Sequence, residues 1–91
     1  MIQAFTGKIQ GRVQGVGYRC FAERVAREHG ICGWVRNRPD GSVEVMAIGK
    51  NPDLVVFLQS LKRGPVSCRV DVLQVDWLKD LPDYRDFSIT G

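Results

Sequence analysis

Along the first thirteen residues small or apolar groups alternate with polar ones: Phe5, Gly7, Ile9, Gly11 and Val13 share one side, and Lys8, Gln10 and Arg12 fall on the other. A period of two is that of a half-buried strand, because successive side chains point to opposite faces. The period then changes. Tyr18, Phe21, Ala22, Val25, Ala26 and His29 recur at three- and four-residue spacing, with Arg24, Arg27 and Glu28 opposite, which predicts an amphipathic helix ending at Gly30. Strand period resumes at Ile31, Gly33 and Val35. Pro39-Asp40-Gly41 has turn chemistry, and Val43, Val45 and Ala47 begin a third strand, so the second and third strands are expected to form a hairpin. Asn51-Pro52-Asp53 opens a second helix with Leu54, Phe57, Leu58 and Leu61 as its buried stripe, and Gly64-Pro65 stops it.

From Cys68 to Leu78 the apolar positions run Cys68, Val70, Val72 and then change phase to Leu73, Val75, Trp77, the pattern of a bent edge strand with a bulge. Leu81-Pro82-Asp83 turns the chain, and Phe87-Ser88-Ile89 supplies a short last strand. The order is β-α-β-β-α-β plus that C-terminal strand. Two amphipathic helices can both bury their stripes only against one shared sheet face. The expected fold class is therefore α+β: a ferredoxin-like sandwich with an antiparallel sheet and both helices on one side. With 91 residues there is enough chain for one modest core and too little for a second, so residues 1–91 form a single expected domain.

The strand-helix-strand crossover makes the first and second strands parallel, and their C-terminal ends share an edge of the sheet. At that edge the stretch Gly11 to Arg19, GRVQGVGYR, holds three glycines, no acidic residue and a terminal arginine. Backbone N–H groups can converge on an oxyanion only where side chains do not crowd the loop, and Gly15 and Gly17 supply the necessary backbone freedom. A helix starting at about Tyr18 adds unpaired first-turn donors and the positive end of its dipole. Arg19 adds a full charge in a planar fork suited to two oxygens of one phosphoryl group. Arg36-Asn37-Arg38 ends the second strand, so Asn37 is expected near this cradle, where its amide could accept from and donate to a water. A register error of one residue would turn Asn37 to the wrong face.

Composition narrows the chemistry further. A 44% apolar fraction is that of a folded globular chain, and the net charge of +3 is dispersed, which suits a small anion and not a broad nucleic-acid footprint. Tyr18 and Trp34 raise an RNA-binding alternative for a ferredoxin-like sheet, but the third strand, Val43 to Ile48, has no aromatic platform. No nucleic-acid or membrane partner is expected: the longest apolar run, Leu54 to Leu58, is far below a span of about 20 residues. No basic-then-apolar leader opens the chain, so a cytoplasmic location is expected; a monomer is expected too, without a sequence feature that fixes oligomeric state. Cys20, Cys32 and Cys68 leave an odd cysteine without metal-like spacing and are expected as reduced core thiols. Cys32 and Arg38 match the C-x5-R spacing of cysteine-dependent phosphatases, but the residues between them carry strand alternation, and a strand cannot wrap a phosphate. No metal-ligand grouping is present, and His29 lies ten residues beyond Arg19, about 15 Å along a helix, too far to serve as a base.

GRVQGVGYR followed by Gly33-Trp34-Val35-Arg36-Asn37 and Asp40-Gly41-Ser42-Val43-Glu44 closely resembles the acylphosphatases. The resemblance covers about Gly7 to Gly49, and the element order deduced above is that family's fold. It implies a hydrolase that cleaves acyl phosphates to carboxylate and inorganic phosphate without cofactor or metal. Arg19 would bind the phosphoryl group with the backbone amides of Gln14, Gly15, Val16, Gly17 and Tyr18, and Asn37 would orient the attacking water. The alternative is a non-catalytic anion-binding module that keeps the loop and lacks turnover. Many members of the family carry a threonine where this chain has Ala22, which bears on the positioning of Asn37. Many also end in an aromatic residue where this chain ends Phe87-Ser88-Ile89-Thr90-Gly91, which bears on the electrostatics or stability of the site.

Overall fold

The computed structural model describes residues 1–91, arranged as β1 (Ile2–Arg12), α1 (Tyr18–Glu28), β2 (Cys32–Asn37), β3 (Val43–Lys50), α2 (Asn51–Arg63), β4 (Arg69–Trp77) and β5 (Phe87–Ile89). The strands form one sheet in the order β4-β1-β3-β2-β5, with α1 lying over β2 and β5 and α2 over β3 and β4. This is the expected sandwich with one correction. The sheet is mixed: β5 runs parallel to β2, with Gly33 opposite Phe87 and Val35 opposite Ile89, while the other pairs are antiparallel. β4 and β5 occupy opposite edges, so the chain between them must cross the whole sheet. It leaves through a bond from the Leu78 N–H to the Ala4 carbonyl and arrives where the Gly33 N–H donates to Asp86. A strand that enters from that side runs parallel to its neighbour.

The core lies between sheet and helices. Phe5, Ile9, Val35, Val43, Val45 and Ala47 from the strands meet Ala22, Val25 and Ala26 of α1 and Leu54, Phe57 and Leu61 of α2. Phe57 packs on Phe5 from one side, ring centroids 6.3 Å apart, and edge-on against Phe87 at 5.9 Å on the other. The final strand is thus tied to the centre of the core as well as to its edge. The expected irregularity of β4 is present, one step earlier than the apolar pattern suggested. Gln10 pairs with Val72 and Gly11 with Val70, leaving Asp71 as the extra residue of a bulge. Val70, Leu73 and Val75 then face the helices while Val72 turns to solvent.

Local chemistry sets the helix ends. Pro52 and Asp53 stand in the first turn of α2, and Lys62 and Arg63 in its last, each charge placed to suit the helix dipole. α1 ends at His29, where the Ile31 N–H reaches back to the Ala26 carbonyl at 2.9 Å. The three cysteines are unpaired, but they are not core residues: Cys20 is exposed, and Cys32 and Cys68 are half-buried. No helix is long and apolar enough to cross a membrane.

One buried contact joins the two helices. Tyr18, the first residue of α1, is 1% exposed, and its hydroxyl donates to the Leu61 carbonyl near the end of α2 at 2.6 Å. That carbonyl belongs to the last turn, where helices leave acceptors unpaired. Burial holds the Tyr18 phenol protonated, far above the ordinary range, so it remains a donor throughout the accessible pH range. Tyr18→Phe keeps the ring and removes the donor from a buried acceptor. It is expected to lower the unfolding free energy by about 1–3 kcal/mol, read as a lower urea midpoint with unchanged slope.

Candidate active site

The register of three strands brings the two expected site elements to one edge. Val43 of β3 pairs with Ile9 on one side and with Asn37 on the other. Ile9 and Val43 are fully buried on the helix face, so Asn37, in the same row, also faces the helices. The one-residue slip that would have turned it away has not occurred. Four residues beyond Ile9, Val13 is buried in the core, and the Gln14–Gly17 loop turns from it into α1.

The loop has the geometry of a nest. Gly15 and Gly17 have φ of 74° and 80°, and Val16 between them has negative φ, since no residue other than glycine takes a positive value. Alternating handedness turns successive N–H groups toward one concavity. None of the backbone N–H groups from Gln14 to Cys20 meets a protein acceptor, and the first turn of α1 closes only at the bond from Phe21 to the Gly17 carbonyl, 3.0 Å. Gly17 is the N-cap without any side-chain cap, and the first turn contains no carboxylate. The donors are left facing outward from the positive end of a helix. An anion fits such a place and a cation does not.

Arg19 is half-buried on the first turn of α1. One end of its guanidinium donates to the carbonyl of Gly91, which also accepts from the Asn37 backbone N–H at 3.1 Å. Gly91 therefore lies between the two candidate residues, and the rest of the arginine fork is free of protein partners. Asn37 Oδ1 is buried and has no hydrogen-bond partner. A buried carbonyl oxygen without a partner costs free energy unless it meets a donor, so this atom is an acceptor that the protein leaves unmet.

Three side-chain contacts that sequence reasoning missed brace the loop. The Gln14 amide donates to the carbonyls of Arg38 at 2.7 Å and Ser42 at 2.8 Å, across the neck of the β2–β3 hairpin. The Ser67 hydroxyl donates to the Val16 carbonyl at 3.1 Å, and Tyr18 is anchored on Leu61 as described. Gln14 is thus turned away from the concavity, and only its backbone can face an anion. No periodicity or motif marks a bond between residues 24 or 28 apart. At Ala22, fully buried, there is no hydroxyl to reach Asn37.

Other sequence candidates fall outside the site. Cys32 opens β2 and Arg38 is the residue after its end, about 20 Å away at the rise of a strand, which removes the cysteine-phosphatase geometry. His29 lies at the far end of α1, its Nδ1 3.9 Å from Asp53. Tyr18 is buried and cannot stack on a base, and the Trp34 ring is covered by the Arg36 guanidinium at 5.0 Å. The largest groove, about 340 Å³ between α2 and β4, is lined by Leu58, Lys62, Val70 and Val75 and includes neither Arg19 nor Asn37. The candidate cradle is a loop of unpaired backbone donors that lies outside that groove.

The sequence model of the family described as acylphosphatase matches residues 5–89. An acylphosphatase of Thermus thermophilus is 51% identical over 69 residues, covering 76% of this chain and 78% of that protein. One from Leuconostoc mesenteroides is 43% identical over 91 residues, covering 99% of this chain and all of that one. The crystal structure of acylphosphatase from Bacillus subtilis matches over the full length of both chains with a TM-score of 0.95 at 35% identity.

The nest can be tested without any assay of turnover. An L-residue at the positive φ of Gly17 is strained, so Gly17→Ala is expected to lower the unfolding free energy by about 1–2 kcal/mol. It should also reduce the upward shift of the urea midpoint that inorganic phosphate produces. An alanine variant with the parent's phosphate-induced shift would show that these amides do not hold the anion.

Proposed function

This chain belongs to the acylphosphatase family and is an acyl phosphate hydrolase, and we propose that its turnover rests on Arg19, the amides of the Gln14–Tyr18 loop, and Asn37. The observation that carries these roles is the pairing of orphan groups. A ring of unpaired N–H donors with a free arginine fork stands beside one buried, unpartnered amide oxygen.

The phosphoryl group binds with its oxygens on the amides of Gln14, Gly15, Val16, Gly17 and Tyr18 and on the Arg19 guanidinium. Phosphoryl transfer asks the protein for position and charge more than for covalent chemistry. Fixed dipoles and one arginine answer the charge that develops on the equatorial oxygens. Water donates one hydrogen bond to Asn37 Oδ1, which aims its lone pair at phosphorus opposite the leaving group. Asn37 is an acceptor too weak to remove the proton, so that proton passes to a phosphoryl oxygen as the P–O bond to water forms. The acyl C–O–P bridge breaks at phosphorus, and the carboxylate leaves unprotonated because it is already a stable anion. No general acid is needed, and the chemistry calls for no metal or cofactor. The positions of His29 and Cys32 accord with this economy. We place the enzyme in the cytoplasm as a monomer, acting on a small acyl phosphate and releasing inorganic phosphate.

Hydrolysis of benzoyl phosphate in the presence of a chelator tests these roles. Arg19→Ala is expected to lower kcat/KM by at least about 100-fold while the fold is kept. Asn37→Ala should lower kcat by a comparable factor and leave the inhibition constant of phosphate nearly unchanged, and Cys32→Ser should leave turnover intact. Phosphate should inhibit competitively, because product and substrate share the cradle. Full turnover by Asn37→Ala would remove the water-holding role, and noncompetitive phosphate would remove the shared cradle.

A further inference from the structure

We propose that the Gln14 side chain is a positioning residue that sets the distance between the phosphate cradle and Asn37. The inference rests on the water-holding role of Asn37 and adds to it a residue whose backbone alone had been given a part.

Gln14 lies at the junction of the two halves of the site. Its backbone opens the cradle loop, while its side chain leaves the concavity and spans the neck of the hairpin that follows Asn37. Both of its partners, the carbonyls of Arg38 and Ser42, are acceptors, so the NH2 end must face them and both of its hydrogens are engaged. Those carbonyls are already part of the hairpin. The Ser42 carbonyl accepts the Arg38 N–H at 2.8 Å, and the Arg38 carbonyl accepts the Gly41 N–H at 3.1 Å. Gln14 therefore adds a second bond to each and does not close the hairpin itself. Removing it leaves neither carbonyl without a partner, which argues that the turn survives and that the contact has another use.

That use follows from what the contact joins. Arg38 is the residue after Asn37, so a bond to its carbonyl holds the end of β2 within one residue of the amide that would carry water. On the other side, Gln14 is the first residue of the loop that would carry phosphate. No other side-chain hydrogen bond connects this loop to the β2–β3 hairpin; Ser67 braces Val16 from the α2–β4 connection, and Tyr18 braces α1 from α2. The hairpin tip has its own support in the Lys8–Asp40 pair at 3.1 Å and the bonds from Ser42 to Asp40, none of which touches the cradle. Asn37 is also held through its backbone N–H to Gly91, a residue at the chain end. Gln14 is thus the one direct side-chain tie between phosphate cradle and water arm.

In-line attack is sensitive to such a tie, since a displacement of about 1 Å remote from the chemistry can cost on the order of 100-fold in rate. The loss should fall on kcat and spare phosphate binding, because the cradle amides and Arg19 remain. Four proteins are compared with benzoyl phosphate: the parent chain, Gln14→Leu, Asn37→Ala and the double variant, each shown by circular dichroism to be folded. Gln14→Leu is expected to lower kcat by about 10- to 100-fold with little change in the inhibition constant of phosphate. In the Asn37→Ala background the same change should add little, because residues that act as one unit are not additive.

Gln14→Glu supplies a readout that a purely structural role would not move. At neutral pH its carboxylate faces two carbonyl oxygens with no donor. On acidification it regains a hydrogen to donate, so its kcat relative to the parent at the same pH should rise. A flat ratio would overturn the inference. Parent-like kcat in Gln14→Leu alongside an impaired Asn37→Ala would overturn it alone, and so would losses that multiply in the double variant. Unimpaired Asn37→Ala would overturn the water-holding role and the clamp with it.

Discussion

Val43 pairs with Ile9 of β1 and with Asn37 of β2, and this shared register is the constraint on which the rest of the site depends. Because β1 and β2 are both antiparallel to β3, they run in the same direction and end at the same edge. Because side chains alternate along a strand, the row that buries Ile9 and Val43 also directs Asn37 to the helix side. Two strands at about 4.8 Å each bring Asn37 within about 10 Å of β1, close to where the loop leaves for α1. A separation of more than twenty residues in the chain becomes one flank of a concavity. The hydrophobic pairing that stabilises the sheet therefore also sets the geometry of the candidate chemistry.

Around that register, charge is arranged mostly by exclusion. The loop and the first turn of α1 contain no carboxylate, and the basic groups near the turn are partly answered elsewhere: Lys8 by Asp40, and Arg36 and Arg38 by Glu44. No aspartate or glutamate side chain pairs with Arg19, which gives one bond to the backbone oxygen of Gly91. The rest of its fork has no protein partner. Recognition of a phosphoryl group by such a loop would need no deep cavity, because it would rest on several short, directional bonds. The largest groove of the protein lies between α2 and β4 and has no part in it.

The two helices and the first three strands were legible because each has an unbroken period, β4 because its period breaks only once, and the turns between them carry Gly, Pro, Asn or Asp at their expected places. The cradle was legible because Gly15, Gly17 and Arg19 lie close together in sequence, so their chemistry is local. Three features were not. The apolar phase change in β4 suggested a bulge, but the extra residue, Asp71, is identified only by what stands opposite Gln10 and Gly11. The parallel pairing of β5 depends on the path of residues 78–86 across the sheet, which no periodicity records. The amide of Gln14 meets carbonyls 24 and 28 residues away, and before the fold is known those carbonyls are indistinguishable from any others.

What the sequence determined by itself was the set of elements, the shared helix face, the glycine nest with its arginine and, by family resemblance, the activity. The elements, their shared face and the nest follow from the spacing of residues close in the chain, and the activity follows only from the resemblance. Only the tertiary structure decided that Asn37 faces inward with its Oδ1 unpartnered, that Gly91 lies between Arg19 and Asn37, that Cys20 is exposed, and that Gln14 ties loop to hairpin. Each of these is a directional contact or an accessibility set by chain segments far apart in sequence. A hydrogen bond is specified by angstroms, and such distances exist only once the sheet register and the buried core have placed the segments together.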